Sequence, residues 1–199
     1  KLVAENAGVT PEDILGQDLY LYVRDAGRLI GANQEFILSP KLDDLQSVYA
    51  SMEAFCNVEP TAYINVLAVF DNEEVGSGTM QGADSTLLED VLKRMAEAIG
   101  MSASEHLRLV ADSFLISADN AHAVHPNHPE KADPTDRPYI GGGLVIKFHG
   151  SQRYTTDAIS AAKMKLCCEK AEVPYQTYFN RSDIMGGSTL GNISTAHVS

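Results

Sequence analysis

The sequence is short of positive charge: 15 Lys and Arg stand against 27 Asp and Glu in 199 residues, a formal net charge of −12. That deficit argues against non-specific nucleic-acid binding, which depends on neutralising phosphates. It also disfavours docking to an anionic membrane surface. No apolar run approaches the roughly 20 residues needed to span a bilayer. Cysteine is scarce, with only Cys56, Cys167 and Cys168, two of them adjacent and none in a CxxC pair. This is the usage of a reduced, cytoplasmic protein rather than a disulfide-stapled secreted one. In that compartment the tripeptides Asn180-Arg181-Ser182 and Asn192-Ile193-Ser194 read as chance matches to a glycosylation pattern. No signal peptide, internal repeat or low-complexity tract is visible. Two hydrolase signatures are missing, HExxH and GxSxG. Gly76, Gly78 and Gly82 miss the dinucleotide-loop spacing by one residue, and Glu73-Glu74 at its mouth would repel pyrophosphate.

What is present is a core-forming composition, 44% hydrophobic, which excludes wholesale disorder and suits one domain or one and a fraction. Thr10-Pro11-Glu12-Asp13 has the hydroxyl, proline and acids of a helix start, cut short by Gly16. Leu19–Val23 reads as a strand and Phe36–Leu38 as a brief apolar segment. Apolar residues at Leu42, Leu45, Val48, Tyr49, Met52 and Phe55 mark one face of a helix. Residues 61–70 read as a buried strand. A second amphipathic helix follows, capped by Asp84 or Ser85 and stopped by Gly100. Further helices are expected over about 102–111 and 156–171, and strands at 114–118, 144–148 and 175–179, with a proline-rich surface loop at 125–138. A glycine-rich turn closes the pattern at 186–191. Strands alternating with helices predict an α/β fold, a mainly parallel sheet flanked by helices on both faces.

In such sheets, ligands collect beyond the carboxyl ends of the strands. Residues 62–70 run into Asp71-Asn72-Glu73-Glu74, and 114–118 into Asp119, His122 and His125. The last expected strand runs into Arg181-Ser182-Asp183 and Gly186-Gly187-Ser188-Thr189. Adjacent carboxylates after a buried strand are costly without a cation. Glu73-Glu74 is therefore either a solvated turn or a metal site in which one acid binds the ion and its neighbour acts as general base. Asp119 with two histidines offers a donor mix that zinc accepts, though each alone serves equally as a loop residue. Asp43, beside Asp44, is explained equally by the helix macrodipole. Gly186–Gly191 could present backbone N–H groups to an anion or simply make a tight turn. The vicinal Cys167-Cys168 falls mid-helix, as small buried or half-buried residues.

Four segments taken together resemble the M18 metallopeptidases, the aspartyl aminopeptidases and their vacuolar aminopeptidase I relatives. They are Ser39-Pro40-Lys41-Leu42-Asp43-Asp44, Asp71-Asn72-Glu73-Glu74-Val75-Gly76-Ser77, Ser117 through Asn127, and Arg181-Ser182-Asp183 with Gly186-Gly187-Ser188-Thr189. The likeness runs from about residue 10 to the end. It implies an aminopeptidase with two divalent metal ions, zinc being the expected metal. Asp43 would bridge them, Glu74 and Asp119 would be terminal ligands, and Glu73 would be the general base. Lys147 is similar to a lysine that meets an acidic substrate side chain, so N-terminal Asp or Glu is the expected preference. His122 and His125 match histidines near the substrate. Glu74 follows Asp43 by 31 residues and Asp119 follows Glu74 by 45, separations that suit ligands on successive strand ends.

The resemblance also implies self-association, dimers building to a dodecamer. Residues 1–33 would be the tail of an inserted dimerisation domain and 34–199 part of the catalytic domain. The family's two histidine ligands have no counterpart here: no His precedes His106, and His197 comes too early to be the last ligand. The chain opens on Lys1 and stops at Ser199, and it reads as a segment of a longer polypeptide that alone binds metal weakly and turns over little. Two alternatives accompany the acidic-specific reading. One is a related dinuclear aminopeptidase of neutral specificity; the other is a non-catalytic assembly protein on the same scaffold.

Overall fold

The computed structural model describes residues 1–184. The glycine-rich turn expected at 186–191 and His197 lie outside the described residues. The fold is α/β, and the chain divides into two compact units, Lys1–Leu42 and Asp43–Ser199.

The first unit holds α1 (Leu2–Ala7), a single 3-10 turn at Pro11–Asp13, and an antiparallel pair, β1 (Arg28–Ile30) with β2 (Phe36–Leu38). The helix start at Thr10 is real but yields only that one turn. Asp13 Oδ2 accepts from the Thr10 backbone N–H at 2.9 Å and from its hydroxyl at 2.7 Å. Leu19–Val23, expected as a strand, has no ladder among the described residues. Its five side chains are all exposed, Leu21 completely. Alternating or continuous apolarity makes a strand only where a second strand supplies the hydrogen bonds.

The second unit contains α2 (Leu42–Asn57), α3 (Leu87–Ala98), α4 (Ala103–Ala111), β3 (Leu144–Phe148), α5 (Ala158–Lys170) and β4 (Tyr175–Phe179). Three helix ends follow their local chemistry. Gly100, at φ 81°, ends α3 with its N–H on the Glu97 carbonyl at 3.0 Å, and the Met101 N–H reaches Ala96 at 2.9 Å. Ser102 and Glu105 form a capping box at the start of α4, while Asp157 Oδ1 accepts the Ser160 N–H at 2.7 Å to open α5. Helices α3 and α4 pack on each other.

The β3–α5–β4 unit is a parallel pair with a helical crossover. Its register runs from Leu144 opposite Tyr175 to Phe148 opposite Phe179, whose rings stack at 4.9 Å. Ile146 of β3 and Ala161 and Cys168 of α5 are buried; Cys167 is exposed. Gly143, at φ 97°, starts β3 where a Cβ would lie 2.0 Å from the Pro174 carbonyl, so only glycine lets the strands approach there. Segments 61–70 and 114–118, expected as strands, lie outside the sheets among the described residues. Ile64, Val66, Val69, Phe114 and Ile116 are exposed on them. Among the described residues, no helix is long and apolar enough to cross a membrane.

Candidate metal centre

Asp43 and Asp44 open α2 without being helical. Their backbone angles are φ −87°, ψ 113° and φ −114°, ψ 22°, and the peptide between them is cis. A macrodipole role in a regular first turn therefore does not describe Asp43. Asp119 follows residues 114–118, and Glu73 and Glu74 sit in a 3-10 turn, Glu73–Val75.

These elements bring the acids together. One ligating oxygen from each of Asp43, Asp44 and Asp119 lies within 4.8 Å of the others. Glu74 and Glu73 are outside that trio but within its field. Asp43 is held above the usual carboxylate range by burial, then by the charge of Asp119 and a hydrogen bond with its carboxyl, and by the charges of Asp44 and Glu74. Burial also raises Asp44 and outweighs the hydrogen bonds from Ser47 and the Asn120 backbone that pull it down. Glu73 is raised by burial first, then by the negative charges of Glu74, Asp119, Asp43 and Asp44.

The loop that carries the two glutamates is closed on itself. The Asp71 N–H reaches the Gln81 carbonyl at 3.0 Å, Asn72 Nδ2 donates to Thr79 Oγ1 at 2.9 Å, and the Asp84 N–H reaches the Ser77 carbonyl at 3.1 Å. Buried Gly82 is pressed against Ser77, where a Cβ would meet the carbonyl oxygen at 2.0 Å. Gly82→Ala is expected to cost about 1–3 kcal/mol, the range for overpacking, and to displace Glu73 and Glu74. Denaturant unfolding of the full-length protein checks the first effect and metal affinity the second. A variant matching wild type in both would show that the loop yields freely.

Lys147, on β3, donates to Asp119 Oδ2 at 2.8 Å and to the Asn120 carbonyl at 2.6 Å. The Tyr154 ring lies 5.6 Å from its ammonium and meets the edge of His149 at 5.8 Å. His122 is exposed in the loop after Asp119. His125 turns to its own loop, accepting from the Asn127 N–H at 3.1 Å and packing at 5.3 Å on His128. Neither histidine belongs to the acidic trio. Sequence reading passed over two neighbours of the site. Asp44 had a signal, its adjacency to Asp43. Tyr154 had none, because a lone aromatic in an irregular loop follows no period.

The donor set fits divalent cations. Lys147 pairs with Asp119 beside the acids of the cluster, and among the described residues Asp44 Oδ1 is buried with no hydrogen-bond partner. Such an orphaned acceptor is costly unless a cation compensates it.

An α/β unit with this carboxylate cluster has the donors for a divalent ion, and sequence comparison assigns the family. The sequence model described as Aminopeptidase I zinc metalloprotease (M18) matches residues 1–199, and the chain belongs to that family. It is 47% identical to a probable M18 family aminopeptidase 2 of Clostridium acetobutylicum, over 99% of this chain and 46% of that one. The chain thus spans about half the length of the curated relatives it matches. Among solved structures, the crystal structure of prApe1 superposes with a TM-score of 0.87 at 27% identity, covering 98% of this chain and 43% of that one. The S. cerevisiae mApe1 dodecamer gives 0.81 at 27% identity, covering 98% and 45%.

Proposed function

We propose that this chain carries part of the active site of a cocatalytic dinuclear-metal aminopeptidase that releases N-terminal residues from peptides, with a preference for Asp or Glu. The observation that carries the reading is the convergence of Asp43, Asp44 and Asp119, with Glu73 and Glu74 inside their field. Asp43, Glu74 and Asp119 would hold two divalent ions, zinc by kinship with a family described as zinc metalloproteases. Bound ions supply Lewis acidity, making water acidic and polarising the scissile carbonyl.

Kinship with the family gives Glu73 the proton-transfer role, and desolvation together with the charges of its acidic neighbours keeps its carboxylate more basic than usual. Its carboxylate accepts a proton from the attacking water and returns it to the leaving amine. Lys147 meets the acidic substrate side chain, and His122 and His125 line the approach from the loop after Asp119. Kinship with the mApe1 dodecamer supports self-association as the working state, and the free cysteines suit a cytoplasmic location.

The test is turnover by the metal-loaded full-length protein on peptides beginning with Asp, Glu or Leu. Acidic peptides are expected to be cleaved with at least about tenfold higher kcat/KM, since one charge-assisted contact is worth about 1.5–3 kcal/mol. Preference for Leu would shift the reading to a neutral-specific relative. No turnover with full metal content would leave a non-catalytic scaffold.

A further inference from the structure

The Lys147 ammonium is seated rather than swinging in solvent. It is held by an Asp119 oxygen at 2.8 Å, the Asn120 carbonyl at 2.6 Å and the face of Tyr154 at 5.6 Å. The Lys147 side chain is only 17% exposed and that of Asp119 31%. Its charge reaches further into the cluster, drawing Asp44 down against the burial that raises it. A lysine placed only to await a substrate carboxylate has no need to satisfy a carboxylate of the protein. The pairing has a physical cause, because like charges this close need a cation.

We propose that Lys147 is the built-in counter-ion of the metal-free carboxylate cluster, and that a divalent cation competes with its ammonium for Asp119. The inference rests on the reading of Asp119 as a metal ligand. An ion placed on the trio repels the ammonium and takes over its neutralising role, so loading releases Lys147 from Asp119. The freed ammonium then becomes available to an anionic substrate group. Metal binding and recognition of acidic substrates are thereby linked in order: metal first, acidic side chain second. A second consequence is that the site is tuned to bind metal less tightly than its acids alone would allow.

The experiment uses the full-length protein stripped with a chelator and titrated with zinc against a chromophoric competitor. Lys147→Met is expected to bind zinc at least about tenfold more tightly than wild type, because the competing cation is gone. Lys147→Arg, which keeps the charge, should stay within about threefold. Equal or weaker binding by Lys147→Met overturns the proposal, making Lys147 a support that holds Asp119 in place. Absence of zinc binding by wild type itself would overturn the metal-site reading as well, a distinguishable result. A measurement on wild type alone guards against a variant that fails to fold. Amine-directed labelling of Lys147, read by mass spectrometry, should speed up at least about threefold on zinc loading, while exposed Lys170 is unchanged. An unchanged Lys147 rate overturns the competition.

Discussion

Glu73→Gln in the full-length protein is expected to lower kcat by about 10²–10⁴-fold, the usual worth of a general acid–base group, while zinc content stays at the wild-type level. The substitution keeps shape and one acceptor oxygen but removes the basicity that proton transfer needs. Its selectivity follows from the proposed roles: Asp43, Glu74 and Asp119 hold the ions, and all three remain when Glu73 loses its charge. Asp119→Asn should behave differently, losing metal and activity together, because an amide oxygen at a ligand position carries no net charge. Metal analysis alongside kcat and KM separates the two, since loss of kcat with KM held marks a group that acts in the transition state. A Glu73→Gln enzyme that turns over near the wild-type rate would sink the base assignment.

How much of this was written in the sequence depends on how local each signal is. The caps at Ser102 and Asp157 and the glycine stop at Gly100 are satisfied within four residues of chain, and the helices expected over about 102–111 and 156–171 lie close to those ranges. Strands 144–148 and 175–179 were legible because their ladder partners are each other. Segments 19–23, 61–70 and 114–118 carry the same apolar pattern without a ladder among the described residues, since side-chain pattern cannot supply a missing neighbour. The acids divide in the same way. That Asp43, Glu73, Glu74 and Asp119 are unusual was readable from motif; that Asp44 joins the trio depends on backbone angles no pattern encodes. The pairing of Lys147 with Asp119, residues 28 apart in the chain, is a consequence of tertiary placement alone.

Zinc should stabilise the full-length protein strongly at neutral pH and much less in mild acid. The sign follows from the carboxylates. Asp43, Asp44 and Glu73 are raised above their ordinary values, so the folded, metal-free protein takes up protons there more readily than the unfolded chain. Their repulsion is a cost fully present above the raised values and relieved as pH falls toward the ordinary carboxylate value of about 4. Asp13, Glu105 and Asp157 run the opposite way. Each is lowered chiefly by hydrogen bonds at a helix or turn start, so the stability it contributes survives until pH falls through the lowered value. Mild acid thus relieves the cluster before it removes the caps, and metal-free stability should be greater in mild acid than at neutral pH. Zinc reverses that ranking, because the ions require Asp43 ionised and protons compete with them for it. At a hundredfold excess over its dissociation constant the expected gain at neutral pH is about 2.7 kcal/mol. Urea unfolding with and without zinc at pH 7.5 and pH 5 measures it, and a zinc increment as large at pH 5 as at pH 7.5 would place the bound ion somewhere other than these acids.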